Sequence, residues 1–223
     1  MGVLDGLMDS LWGSLKRGET VLIERTDSGD QYFGVYHLIR WGTEEGYTVL
    51  VVDILDSFHL LRAKARLAGM DDPILDNVKA IKVGGRIKTG DVVGWIKDIS
   101  EPVILMEKFK ESYGRVLNSE NPVLTVVIGL EKLFITSGFS PKNTSALIMA
   151  MSGYVGDERR LGVYFLKTKV LQDTGNPLVG LLEDIATTVI GTSKKDKIFE
   201  FHVVKSTNRE LEGCFLSSNY HNI

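Results

Sequence analysis

Residues 47–55 read Tyr-Thr-Val-Leu-Val-Val-Asp-Ile-Leu, an almost unbroken apolar and β-branched run that carries one acid, Asp53. A strand exposed on one face alternates apolar and polar residues, whereas a parallel strand covered on both faces reads as a continuous hydrophobic run. Residues 123–128 (Val-Leu-Thr-Val-Val-Ile) repeat that pattern. Two such runs imply a parallel sheet between helix layers, an α/β architecture.

Outward from these runs, the segment before residue 47 supplies a helix, a strand and a second helix. Val3, Leu4, Leu7, Met8, Leu11 and Leu15 fall at helical spacing up to Gly18, Thr20–Ile23 is a short apolar strand, and 25–29 is a turn. Phe33, Tyr36, Leu38, Ile39 and Trp41 then line a helical face that stops at Gly46. Beyond residue 55 the spacing predicts helices over 60–67, 90–99, 102–117 and 144–155, and strands over 78–83 and 163–166.

The C-terminal third changes character: 184–190, 198–204 and 211–216 read as strands joined by short polar turns. Phe199, Phe201 and Val203 alternate with Glu200 and His202, the period of a half-exposed antiparallel strand. The expectation is one domain over 1–223, a mostly parallel sheet extended by C-terminal antiparallel strands. Its longest irregular stretch, 167–177, reads as a mobile loop.

Composition narrows the function classes. With 43% hydrophobic residues the chain can bury a full core, and a net charge of −3 provides no global field toward nucleic acid or anionic membrane. Cys214 is the only cysteine, so no intramolecular disulfide forms, and a reducing, cytoplasmic setting is expected. No apolar run reaches the roughly 18 residues of a membrane span, and no signal peptide is evident. Scarce glutamine (Gln31, Gln172) and cysteine fit a heat-adapted protein.

The strand, turn and helix around residues 20–41 form the context of a phosphate-binding loop. Such a loop, Gly-x-x-x-x-Gly-Lys-Ser/Thr, meets phosphates with backbone N–H groups, a lysine and a Mg²⁺-binding hydroxyl. Aligning Gly29 with its second glycine gives Glu24-Arg25-Thr26-Asp27-Ser28-Gly29-Asp30-Gln31. Glu24 then stands at the first glycine, Asp30 at the lysine and Gln31 at the hydroxyl.

Laid along the whole chain, the sequence resembles KaiC-like and RadA-like members of the RecA superfamily. The opening GVLDGL…LKRGETVLIE (2–24) is similar to their entry into the phosphate loop. VLVVDILDS (49–57) is similar to the strand that ends in their glutamate pair, and VLTVVIGLEKL (123–133) to their Walker B strand. DIATTVIGTSKKDKIFEFHVVKSTNRELEG (184–213) resembles their closing strands. The chain also looks like a small uncharacterised archaeal group of such degenerate proteins.

The resemblance implies a RecA-type three-layer fold, and the departures imply lost chemistry. Gly129 stands where Walker B places its Mg²⁺-orienting Asp; Leu55 and Asp56 stand at the glutamate pair. Of the closing Lys-x-Arg pair only Lys205 survives, with Thr207 in place of the arginine and Arg209 two residues late. Two unit charges 4 Å apart in a surface-like medium interact by roughly 4 kcal/mol. Exchanging an attractive lysine for Asp30 reverses that sign. The expectation is a pseudo-ATPase with no nucleotide cofactor and no catalytic residue.

Two competing readings remain. Asp27, Asp30, Asp53, Asp56 and Glu131 would gather near the carboxyl ends of the strands, where open sheets bind ligands. Asp30, Asp53 and Asp56 are the candidates for a metal site in a divergent hydrolase, although no ligand spacing is recognisable. The basic turns at Lys194, Lys195, Lys197 and at Arg159-Arg160 raise DNA binding as in a recombinase paralogue, but they read as solvated faces. The recombinases' upstream Phe-x-x-Ala polymerisation motif is absent.

His37, His59 and His202 lack metal-ligand partners at i+3 to i+5 and read as surface or boundary residues, and Cys214 as a buried inert thiol. The partner expected is a protein or peptide, or a second copy of the chain. The first helix (Leu4, Leu7, Leu11, Trp12) and loop 167–177 are the candidate surfaces; the same helix suits packing on its own domain equally well.

Overall fold

The computed structural model describes residues 3–25, 31–70, 73–136, 140–172, 177–195 and 198–219. Its helices are α1 (Val3–Gly13), α2 (Tyr32–Glu44), α3 (Ser57–Leu67), α4 (Ile74–Asn77), α5 (Pro102–Leu117), α6 (Leu130–Thr136), α7 (Pro141–Ser152), α8 (Thr168–Gln172) and α9 (Leu178–Ile185). The strands are β1 (Thr20–Arg25), β2 (Thr48–Ile54), β3 (Lys79–Val83), β4 (Asp91–Ile96), β5 (Val123–Ile128), β6 (Arg160–Lys167), β7 (Thr188–Lys195), β8 (Ile198–Ser206) and β9 (Phe215–Asn219).

They form one sheet in the order β4-β3-β2-β5-β6-β1-β7-β8-β9. Every pairing from β4 to β7 is parallel; β7 with β8 and β8 with β9 are antiparallel. The expected mostly parallel sheet with an antiparallel extension is therefore present. The unbroken runs at 49–54 and 123–128 are buried throughout because helices cover both faces. One layer, α1 to α4, packs Met8, Leu11, Trp12, Phe33, Leu38 and Phe58 against the sheet. On the opposite face, Leu105, Leu133, Phe134, Leu171, Leu178 and Leu182 pack against Leu22, Val52, Val127 and Leu166.

Several expectations are corrected. Residues 90–99 are not a helix: Val92, Val93, Trp95 and Ile96 are β-branched or aromatic and build edge strand β4. It runs parallel to β3 after a return over 84–90, far shorter than the dozen or so residues of an ordinary crossover. Residues 184–190 begin as helix: Leu178 and Leu182, one turn apart, bury against the sheet, and the strand starts only at Thr188. Leu130, Leu133 and Phe134 make a helix, α6, where none was expected. Loop 167–177 starts with the last residue of β6 and the short α8; residues 173–176 lie outside the described residues. The third C-terminal strand begins at Phe215, after a turn, rather than at 211.

The first helix belongs to the core. Leu11 and Trp12 are buried, Leu7 is half-buried, and the Leu4 side chain lies outside the described residues. Its use as a partner surface is therefore excluded for Leu11 and Trp12. Trp12→Ala is expected to lower unfolding free energy by about 3–5 kcal/mol, the scale for a buried aromatic. Urea unfolding checks this, and an unchanged midpoint would contradict a core role.

Candidate functional site

The carboxyl ends of β1, β2, β3, β5 and β6 meet at one edge of the sheet, where the sequence reading expects the degenerate phosphate loop and the acidic candidates. Thr26, Asp27, Ser28, Gly29 and Asp30 lie outside the described residues; their flanks, Glu24, Arg25 and Gln31, are described. Arg25 is buried at the end of β1, and its carbonyl accepts the Thr168 hydroxyl at 3.1 Å. Gln31 stands at the N-terminus of α2, where its side chain makes no cap hydrogen bond.

Asp53 and Asp56 are brought together by a residue that the sequence reading did not single out. Lys82, on β3 and fully buried, donates to Asp53 Oδ2 at 2.6 Å and to Asp56 Oδ1 at 2.8 Å. Asp53 Oδ1 accepts the Phe58 N–H at 2.8 Å, which satisfies a backbone donor in the first turn of α3. Asp56 accepts the Arg86 and Ile87 N–H groups at 2.8 and 3.0 Å. Burial alone would lower the Lys82 pKa, but the two carboxylates outweigh it and hold the ammonium above its ordinary value. Partial burial alone would raise Asp56; the bonds from Lys82, Arg86 and Ile87 hold it below the usual carboxylate range.

Local backbone strain serves this contact. Leu55 and Asp56 both have positive φ (52° and 58°), a conformation that costs non-glycine residues roughly 1–2 kcal/mol each. The double left-handed turn swings the Asp56 carboxylate over the β3–β4 return. Gly85 (φ 70°) leaves room for it, since a Cβ there would overlap the carboxylate. As metal candidates, Asp53 and Asp56 thus find an ammonium already between them, and among the described residues no group of three or more His, Cys, Asp or Glu could hold a metal ion.

Gly129, at the Walker B position, is fixed by packing. Its φ is 82°, and a Cβ would overlap the Ser57 hydroxyl and lie 2.8 Å from the Ile54 carbonyl oxygen. Ser57 Oγ donates to that same carbonyl at 2.5 Å. An aspartate at 129 would have to displace the β2–α3 turn. Beyond it Glu131 is buried, and burial pushes its carboxyl up despite N–H donation from its own backbone and from Lys167. Burial lowers Lys132, whose ammonium donates to the Leu55 carbonyl at 3.3 Å.

Glu24 faces another acid. Burial, then the charge of Glu183 on α9, push its carboxyl from an ordinary 4.5 up to about 7. Lys205, expected from the resemblance to be the remnant of a Lys-x-Arg pair, donates to the Glu183 and Asp184 carbonyls at 2.9 and 3.4 Å and so caps the end of α9.

The remaining candidates are dispersed. Arg160 is buried and binds Thr20 Oγ1 at 2.6 Å and the Tyr154 carbonyl at 3.3 Å, so it is no solvated basic turn. Arg159 pairs with Asp157 at 2.7 Å. Lys194 lies over the Phe199 ring, the Lys195 side chain and Lys197 lie outside the described residues, and Thr207 donates its N–H to the Thr187 carbonyl. His37 is buried against Phe33 and Tyr36 rather than at a boundary, His59 is half-buried, and His202 is exposed beside Phe215. Cys214 is half-buried and donates to the Glu210 carbonyl at 3.1 Å.

A family described as Pyrococcus protein of unknown function, DUF257, matches residues 10–217. The chain belongs to this family. The membership agrees with the expected archaeal, uncharacterised group. A solved structure from Pyrococcus horikoshii OT3, a structural study of project PH0250, is similar at 25% identity and TM-score 0.76, over 94% of this chain and 97% of that one. A search of curated proteins finds no match. No helix among the described residues is long and apolar enough to cross a membrane.

The raised Glu24 pKa has a definite sign. The native state holds this proton more tightly than the unfolded chain, so the associated stability is full below pH 4.5 and is lost as pH rises through about 7. Glu24→Gln is expected to leave stability near pH 4.5 unchanged and to raise it above pH 7 by ~1 kcal/mol, discounted for partial exposure. Urea unfolding across that range checks it; equal effects at both ends would refute the raised Glu24 pKa.

Proposed function

We propose that this chain is a RecA/KaiC-type domain that has lost nucleotide turnover and acts as a protein-binding or assembly module. The observation that carries the reading is the buried Lys82 between Asp53 and Asp56. Carboxylates at this edge would orient Mg²⁺ or water in a working phosphoryl-transfer site. Here they are consumed by an internal cation and by backbone N–H groups. Gly129 adds to this, because the packing at Ser57 leaves no space for a Walker B acid. The RecA-type assignment draws further support from the strand-turn-helix at β1–α2 and from β5, the Walker B candidate, ending at the same sheet edge as β1.

A surface suited to a partner lies on the helix layer of α5 and α7. Val103, Met106, Phe109, Leu147, Met149 and Met151 line a groove there of about 570 Å³. Met149 is 74% exposed and Val103 59%. Methionine-rich apolar grooves between helices suit an amphipathic helix of another protein, because thioether side chains adapt their packing to the guest. Metal-dependent hydrolysis and DNA binding have less support, given the engaged Asp53 and Asp56 and the internal pairing of Arg159 and Arg160.

Two measurements test the proposal. Calorimetric titration with Mg-ATP is expected to give no saturable heat to about 1 mM, and a micromolar Kd would overturn the pseudo-ATPase reading. Proteins co-purifying with the native chain should be lost in Met149→Glu and kept in Leu67→Glu, a control at an 88% exposed residue outside the groove. Equal retention in both variants would remove the groove as the interface.

A further inference from the structure

Among the buried polar atoms of the described residues that lack hydrogen-bond partners, two belong to residues lining one small cavity at the carboxyl edge of the sheet. They are Glu131 Oε2, an acceptor, and Gln31 Nε2, a donor. Glu131 is only 5% exposed, and leaving such a group unsatisfied costs about 1–3 kcal/mol. The cavity holds about 80 Å³. Since one water occupies roughly 30 Å³ of liquid, the space suits two or three waters or one tetrahedral oxyanion. It is also lined by Ser57 and by three lysines, Lys64, Lys132 and Lys167.

The chemistry of the lining restricts the guest. Three ammonium groups and an amide N–H favour anionic oxygens, so the ligand is an anion. The lone Glu131 oxygen accepts a hydrogen bond, and an anion that also carries an O–H satisfies it without drawing a lysine away from the anionic oxygens. Sulfate offers none near neutral pH, and a phosphate monoester, whose second pKa is about 6, is largely stripped of its own. Hydrogen phosphate carries both. The cations come from α3, α6 and β6 rather than from the loop after β1.

We propose that this cavity is a binding site for hydrogen phosphate, with Glu131 accepting its O–H, Gln31 donating to an anionic oxygen, and Lys132, Lys167 and Lys64 supplying the countercharge. The site is independent of the apolar groove and of any partner. Calorimetry on the full chain with inorganic phosphate, glycerol phosphate and sulfate tests it. Inorganic phosphate should bind saturably, and the other two about tenfold or more weakly, the worth of one lost charge-assisted hydrogen bond.

Glu131→Gln, whose amide can donate, should reverse the preference toward sulfate. Lys167→Met should weaken phosphate at least tenfold by loss of a charged partner, with an unchanged thermal midpoint as the folding control. If Glu131→Gln does not fold, the selectivity of the unaltered chain and the Lys167→Met loss still decide the matter. No saturable heat with phosphate to about 10 mM would overturn the proposal. So would sulfate or glycerol phosphate binding as tightly as inorganic phosphate.

Discussion

Lys82 places a full positive charge inside the protein, and the surrounding chain is arranged to make that tolerable. An ammonium moved from water into a protein interior loses several kcal/mol of hydration even after relaxation, and attraction offsets this only when the geometry is good and the remaining groups are bonded. Here Asp53 lies 2.6 Å away and Asp56 2.8 Å away. Each carboxylate has further backbone donors: Phe58 for Asp53, and Arg86 and Ile87 for Asp56. Three connections are tied by the cluster. The start of α3 is capped through Asp53, the β2–α3 turn takes two left-handed residues to deliver Asp56, and the β3–β4 return folds over that carboxylate through Gly84 and Gly85.

The consequences reach the neighbouring strand. Once the β2–α3 turn is placed, the Ile54 carbonyl and Ser57 hydroxyl fill the space beside residue 129, and only glycine fits there. Along the sequence, the glycine at 129 and the aspartate at 30 look like two separate departures from the expected motifs. In the folded chain, the first of them is bound up with the packing that supports the Lys82 cluster. The small lysine-lined cavity with Glu131 opens at this edge, while a large apolar opening lies on the helix layer between α5 and α7.

The layered sheet was legible because its signal is strong and local: 49–54 and 123–128 are apolar at every position but Asp53 and the threonine at 125, and nothing but a doubly covered strand needs that. The alternation at 198–204 was equally readable. Edge strand β4 was not, because a parallel neighbour reached by so short a return depends on glycines with positive φ rather than on periodicity. The α9–β7 boundary was missed because Ile185, Ala186, Val189 and Ile190 in Asp184–Ile190 fit a helical period as well as a strand, and only packing of Leu178 and Leu182 decides it. At the site, Asp53 and Asp56 stood out as lone acids in apolar sequence, but their partner did not. A lysine in Lys-Ala-Ile-Lys-Val looks like the exposed half of an alternating strand, and its burial follows from Asp56 on the β2–α3 turn and Trp95 on β4 lying over the face opposite to α5. The one signal available was an odd acid on an inner strand, which requires a cation somewhere.

Lys82 and Asp53 form a coupled buried pair at the carboxyl edge of the sheet. A double-mutant cycle with Lys82→Met, Asp53→Asn and the combined variant, read by urea unfolding, measures that coupling directly. Each single change should cost about 3–5 kcal/mol, because it breaks a buried ion pair from one side, although Asp56 still faces Lys82 in Asp53→Asn. The combined variant should cost at least ~2 kcal/mol less than the sum. Additive losses, within about 0.5 kcal/mol, would contradict the account.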